Sequence, residues 1–352
     1  MILDFQTNIA LQQIVEAWQN APKQNEGQET QDVKEPTRGR ERNTLSISLD
    51  ERRSTAEAFL SASQTGDVPT VTRMVRKYGR VLFSERCKDD IGSNGLHLAV
   101  RYGHAHLVKT MLKLDAWIGT PDNKDNTALH YAARYGQNDI TNLLVDSGYE
   151  VDVLGEYCRT PMLTAAAFGH SSVVRILLKR GADVFAVDMH GATAALLACW
   201  GDSVFVLHEL VLFGADFTQC DKFGNFPLFV AAAKGNVEIV AMLLNTEAGL
   251  LVDQKGPDDQ TALHAAAAFG NIEVAKLLLL NQASVTRDRF GMTPFDLAEH
   301  KGHLKFVETI SEFVKGSGYS LSDPELDGSL VSPEWNPVYP DEAFSWCLKP
   351  AA

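Results

Sequence analysis

Histidines are the residues of this chain that could most readily carry acid–base or metal chemistry. His97, His130 and His264 each stand three residues after an Asn or Thr. Imidazole transfers protons near neutral pH and is a common metal ligand. Aligned segments of the same chain, however, hold Leu163 and Leu196 at the equivalent place. Because leucine can do neither kind of chemistry, the pattern favours a structural role for the three histidines.

Other patterns of nucleophiles or metal ligands are missing from the sequence. The five cysteines are scattered, none forms a C-x-x-C pair, and no zinc-site spacing joins cysteine to histidine. Motifs typical of a nucleophile elbow, a phosphate-binding loop or a zinc protease do not occur. We therefore predict reduced thiols, no catalytic residues, no metal, no cofactor and no enzyme activity.

One short motif near the C-terminal end could act in recognition. Asn336, Pro337 and Tyr339 form an N-P-x-Y sequence, and Asn-Pro favours a turn. In other proteins such turns are bound by phosphotyrosine-binding-type domains and by endocytic adaptors. Two hypotheses remain open: this motif docks an adaptor domain, or Trp335 and Tyr339 pack on the end of the folded domain.

Charge and hydropathy argue against several other classes of protein. The 352 residues include 32 Lys and Arg against 45 Asp and Glu, which gives a net charge of −13. Such a chain is repelled by phosphate backbones, so binding to nucleic acid is not expected. No apolar run approaches the roughly 18 residues that span a bilayer, and the first residues lack the pattern of a secretory signal. We expect a cytoplasmic protein without a transmembrane segment.

An internal repeat indicates which secondary-structure elements position these side chains. One tetrad recurs mostly at a spacing of 33 residues. Its copies are Asn94–His97, Thr127–His130, Thr160–Leu163, Thr193–Leu196, Phe226–Phe229, Thr261–His264 and Thr293–Asp296. A turn precedes the tetrad, Thr commonly stands where a helix N-cap is needed, and a glycine commonly ends the first helix. A second helix with apolar residues at i, i+3 and i+4 follows.

This pattern resembles the ankyrin repeat family over about residues 90–312. The tetrads and the Gly-Ala-Asp sequences at 181–183 and 214–216 carry the resemblance. Ala62 and Gly66 indicate a degenerate copy before them, which would act as a cap. The resemblance implies an all-α solenoid of about seven to eight helix-turn-helix units with β-hairpin fingers, flanked by flexible ends. It also implies a structural, hydrogen-bonding role for the tetrad histidines.

The chain is predicted to have four parts. Residues 1–20 read as an amphipathic helix, 21–54 as a flexible linker, 55–313 as the ankyrin repeat domain, and 314–352 as an acidic and aromatic tail.

Two functions remain open. The first is a non-catalytic scaffold or adaptor, and the second is a structural anchor that tethers a target to a membrane or cytoskeletal complex through the N-terminal helix.

The resemblance implies that a protein partner binds in a concave groove lined by the first helices and the finger tips. In the repeat frame, residues beside the first-helix glycines and at the finger tips face this groove. The predicted partner-binding residues are Arg101, Tyr102, Lys124, Arg134, Tyr135, Tyr157, Phe168, His190, Trp200, Phe223, Lys234, Phe269 and Phe290. Their basic and aromatic character predicts an acidic and apolar peptide or helix as the partner.

Two copies depart from the repeat frame. In the fourth, Gly201 and Asp202 stand where the frame expects a glycine at 202, which predicts a short first helix and a long second one. His208 or Glu209 would then fall among core positions. In the fifth, two additional residues near 245–248 predict a longer surface loop, and such loops tolerate shortening.

Overall fold

Helical hairpins follow one another along the chain in a computed structural model, which describes residues 49–114, 116 and 120–317. The hairpins of this part are α1 (Leu49–Thr65) with α2 (Val68–Tyr78), α3 (Gly95–Arg101) with α4 (Ala105–Lys113), α5 (Ala128–Arg134) with α6 (Asn138–Asp146), α7 (Pro161–Ala167) with α8 (Ser171–Lys179), α9 (Ala194–Trp200) with α10 (Val204–Leu212), α11 (Pro227–Lys234) with α12 (Val237–Leu244), α14 (Ala262–Ala268) with α15 (Ile272–Leu280), and α16 (Pro294–His300) with α17 (Leu304–Ser317). A single turn, α13 (Glu247–Leu250), lies between the sixth and seventh hairpins. Short 3₁₀ turns span Arg80–Ser84, Glu156–Cys158 and Pro257–Asp259.

Neighbouring hairpins stack on one another, which confirms the all-α repeat solenoid. Each first helix packs against the first helix of the next hairpin, and most second helices pack in the same way. The first helices approach closely because alanine occupies many of their buried positions, as at Ala132, Ala165 and Ala231, all fully buried. The core therefore extends along the stack, from Phe59 to Val314, instead of surrounding one centre.

The start of most first helices is fixed by a local hydrogen-bonded cap. His130 Nδ1 accepts a hydrogen bond from the backbone N–H of Thr127 at 3.2 Å, and its Nε2 donates to the carbonyl of Arg159 at 2.9 Å. His264 makes the same pair of bonds, to Thr261 and Met292. One ring thus satisfies a helix terminus and ties it to the following finger. The structural role predicted for the histidines is confirmed.

The fingers are closed by aspartates, and the predicted strand ladder is absent from the described residues. Two isolated antiparallel bridges, Arg86 with Asn94 and Val187 with Thr193, are all the β-pairing in that part of the chain. Instead, one carboxylate oxygen accepts N–H bonds from residues two and four positions further on. This arrangement recurs at Asp122, Asp188, Asp221 and Asp288. A carboxylate side chain therefore helps to hold these four tips.

The fourth copy is regular in length, so the predicted shift of its helices is wrong. Helices α9 and α10 have 7 and 9 residues, the same lengths as α7 and α8. Asp202 ends the first helix at the usual place in the repeat, because it adopts the left-handed conformation (φ 53°) that Gly169 adopts in the third copy. Glu209 is buried, as expected, and its Oε2 lies 2.8 Å from Arg175 Nε in the neighbouring hairpin, whereas His208 is exposed.

The additional residues of the fifth copy form helix α13, so the prediction of a surface loop is wrong. Thr246 Oγ1 accepts the N–H of Ala248 at 3.3 Å, and Ala248 is buried. The backbone of Gly249 passes so close to Leu244 that an added Cβ would lie 2.1 Å from its carbonyl oxygen. The insertion is therefore packed against the preceding helix.

The ends of the solenoid extend beyond the predicted domain boundaries. Helix α1 begins at Leu49 and α17 ends at Ser317, so the boundaries at 55 and 313 fall inside helices. Terminal repeats need longer, polar outer surfaces because no neighbour covers them. The predicted helix at 1–20, most of the predicted linker and the tail after 317 lie outside the described residues.

Stability should fall when the capping histidines are exposed to acid. Burial lowers the pKa of His97 to about 4 and also lowers the pKa values of His130 and His264. Histidines of the unfolded chain take up protons near pH 6.5, whereas the buried ones remain neutral until the pH is lower. The unfolded state therefore binds more protons between about pH 6.5 and 4, and the free energy of unfolding decreases as the pH falls through that range. Thermal denaturation at pH 7 and pH 5 measures the decrease. His130→Leu should make it shallower, and His106→Asn at an exposed site should not; equal slopes would contradict this assignment.

Asp202 should tolerate glycine better than alanine. Both substitutions remove the surface ion pair with Lys234, but only alanine keeps a Cβ in the left-handed conformation without a polar side chain. We expect Asp202→Gly to be about 1 kcal/mol more stable than Asp202→Ala in urea denaturation. Equal stabilities would show that this backbone position is not strained.

Deleting part of α13 should destabilise the protein. Removal of Glu247 and Ala248 takes away a buried side chain and the cap at Thr246, and we expect a loss of about 1–3 kcal/mol in chemical denaturation. Leu250→Ser provides the control, because Leu250 is 86% exposed and its substitution should change stability by less than about 0.5 kcal/mol. If the deletion lowers stability no more than Leu250→Ser does, these residues form a surface loop and not a packed turn.

Candidate protein-binding groove

The C-terminal ends of the first helices and the finger turns form one continuous face of the solenoid, called here the groove face. The N-cap sets where each of these first helices begins, and the helix ends at this face seven residues later. A shallow depression on it is lined by residues of both elements, among them Arg101, Lys124, Arg134, Tyr135 and Glu156.

Arginine and aromatic side chains interleave at the ends of α3, α5 and α7. The guanidinium carbon of Arg101 lies 5.8 Å from the ring centre of Tyr102 and 5.6 Å from that of Tyr135. Arg134 lies 4.6 Å from the ring centre of Phe168. Each arginine thus packs on the ring of the following repeat, where it makes a cation–π contact. The basic and aromatic residues predicted here therefore form a row in which cations and rings alternate.

Exposure divides the predicted aromatic residues of the first helices into two groups. Tyr102 and Phe269 are 45% and 48% exposed, while Tyr135, Phe168 and Trp200 are half-buried. The half-buried rings pack against the core of the stack. Tyr102 and Phe269 consequently offer the larger apolar surfaces to a partner.

The finger tips form a second row of rings beside the first. Tyr157, His190 and Phe223 follow one another with ring centres 6.3 Å and 5.8 Å apart. Phe223 is 53% exposed, whereas Phe290, further along, is half-buried under the guanidinium of Arg289 at 5.1 Å. Each tip ring of the row rests on the neighbouring finger, so these rings both stabilise the fingers and contribute surface.

The two lysines predicted on this face have carboxylate neighbours. Lys124 Nζ lies 2.9 Å from Glu156 Oε1, and Lys234 Nζ lies 2.7 Å from Asp202 Oδ2. Exposed pairs of this kind contribute little to stability, and an ammonium group has three donors. A partner carboxylate can therefore join or replace either pair at small cost.

The repeat pattern predicted aromatic residues at the ends of the first helices, but it did not predict that Arg101 and Arg134 pack on their rings. The signal was present, because Arg101 and Arg134 recur one repeat apart, each directly before a tyrosine. The tail motif, Asn336, Pro337 and Tyr339, lies outside the described residues.

Over residues 49–317, apart from the gaps at 115 and 117–119, no group of three or more His, Cys, Asp or Glu side chains could hold a metal ion. None of the helices in that part combines the length and the apolar character needed to span a bilayer.

Comparison with known families agrees with the architecture. The family model described as ankyrin repeats in three copies matches residues 59–154, 195–288 and 249–317, and a single ankyrin repeat matches residues 157–189. Comparison with curated proteins gives no match. The family matches cover well over half of the sequence, and they coincide with the observed helical hairpins. The chain belongs to the ankyrin repeat family.

Proposed function

We propose that this protein is a non-catalytic scaffold or adaptor that binds a partner peptide or helix on the groove face. Ankyrin repeats are generally protein–protein interaction modules. The observation that carries the proposal is the alternating row of arginines and rings, Arg101–Tyr102–Tyr135 and Arg134–Phe168. Arginine, tyrosine and tryptophan are the residue types that most often dominate binding energy at protein interfaces.

The chemistry of the row favours a partner that is both apolar and acidic. Tyr102 and Phe269 supply exposed rings, and Arg101, Lys124 and Lys234 supply cations. These cations stand out because the whole chain carries a net charge of −13. A partner carboxylate would gain from them by electrostatic complementarity, and its association would slow as salt is added.

The remaining parts of the proposal concern location and the chain ends. A cytoplasmic setting agrees with scattered cysteines that form no paired pattern. Docking of an adaptor domain at Tyr339 is a separate proposal, which rests on the N-P-x-Y sequence alone. The second hypothesis, a structural anchor, rests on the amphipathic pattern of residues 1–20, and no described contact favours it over the scaffold.

The groove can be tested with variants of its exposed rings. Affinity capture with the full chain identifies partners whose recovery falls with Tyr102→Ala or Phe269→Ala. With such a partner purified, each substitution should weaken binding by about 2 kcal/mol, close to 30-fold. The thermal midpoint should hardly move, because both rings are about half exposed.

A matched control and a salt series complete this test. Leu304→Ser removes an exposed apolar side chain from the start of α17 and should leave binding unchanged. Affinity for the true partner should fall as ionic strength rises. Ring variants that lower stability but not affinity would show that the rings serve only the stack, and the groove assignment would then be wrong.

A further inference from the structure

Helix α10 presents an apolar surface to the solvent on the side of the solenoid formed by second helices. Phe205 is 74% exposed, Leu212 is 76% exposed and Val211 is 42% exposed. With the exposed His208, they occupy about two turns of one face, called here the α10 face. Helix α10 also packs more closely on α8 than on α12, so the face is open on its α12 side.

The corresponding residues of the other second helices are mostly polar. Phe205 and Leu212 are the second and ninth residues of α10. The same two positions hold Pro69 and Arg76 in α2, His106 and Lys113 in α4, Asp139 and Asp146 in α6, Ser172 and Lys179 in α8, Glu238 and Asn245 in α12, Glu273 and Leu280 in α15, and Lys305 and Glu312 in α17. Large apolar residues at both positions occur in α10 alone among these helices. The repeat fold thus does not require them, and a contiguous exposed apolar patch commonly marks an interaction surface.

One edge of the α10 face is positively charged. Arg175 of α8 holds the buried carboxylate of Glu209 through Nε at 2.8 Å and through a second, bidentate contact of its Nη2. The hydrogen bond of Arg175 is the main reason that the pKa of Glu209 is lowered, and nearby Lys179 and His208 contribute. Arg175 and Glu209 neutralise each other, so the nearby Lys179 leaves this edge with an excess positive charge.

We propose that the α10 face is a second docking surface, which binds an amphipathic partner helix that carries carboxylates along the edge facing α8. A stripe of two helical turns is about 10 Å long, which suits the apolar side of a short helix. The excess positive charge beside Lys179 selects acidic residues at that edge. A second copy of this chain is a poorer occupant, because each copy carries a net charge of −13.

This surface is independent of the groove face. The groove face is built from first helices and fingers, whereas the α10 face lies on a second helix, so the two share no residue. A chain with both surfaces could hold two partners at once. The α10 proposal stands or falls separately from the proposed groove function.

Selection from a displayed library of amphipathic helical peptides tests the proposal on the full chain. Wild-type protein is the bait, and the double variant Phe205→Ser/Leu212→Lys is used for counter-selection. The variant carries the residues that α8 holds at the same positions, Ser172 and Lys179, so it should fold with an unchanged thermal midpoint. Leu304→Lys, at a 65% exposed site, is the matched control.

Selected peptides should bind wild type and the Leu304→Lys control alike, and should bind the double variant at least tenfold more weakly. Their sequences should place Asp or Glu along one edge, and Lys179→Glu should weaken them severalfold. The proposal is overturned if no peptide distinguishes wild type from the double variant, or if the selected edges are basic. It is also overturned if wild type sediments as a dimer that the double variant converts to monomer.

Discussion

The capped start of the first helix is the interaction on which the rest of this structure depends. Helices such as α5 and α7 have only seven residues, and helices that short are not stable by themselves in water. A Thr or Asn at the cap satisfies the first backbone N–H groups, and in three repeats a histidine at the third helical position completes a capping box. Because His130 and His264 also reach the carbonyls of the following finger, their caps join one repeat to the next.

This linkage also places the side chains of the groove face. Stacking holds successive first helices in one register, so the residues that end them recur at the repeat spacing. Arg101 then lies over the ring of Tyr135 in the next repeat, and Arg134 lies over Phe168. Each contact joins two neighbouring repeats and also shapes the groove face.

The exposed side chains of the α10 face, unlike those of the groove face, are not needed for the packing of the repeats. Phe205 and Leu212 project into solvent, whereas the other second helices hold polar residues at most of the corresponding positions. Removing the apolar character of this face should therefore leave the stack intact. In a repeat protein, where each unit contacts only its neighbours, one repeat can acquire its own outer surface without altering the others.

Much of this architecture could be predicted from the sequence because its determinants are local and repeated. The 33-residue spacing, the tetrad caps, the alanine pairs and the glycines after the first helices are each a short pattern, and each defines one element. The eight hairpins, their order and the structural role of the histidines follow from those patterns. The types of residue that line the groove face follow from the same frame.

Contacts between repeats decided what the local patterns could not show. Asp202 occupies a glycine position because the stack holds the backbone there, and residues 247–250 form a packed turn because Ala248 finds a place in the core. Aspartate carboxylates, and not a strand ladder, close four of the fingers. Which rings are covered by arginine, and which apolar residues of α10 remain exposed, depends on side chains about 33 residues away. By itself the sequence determined the repeating unit, and the stacking of those units determined its surface.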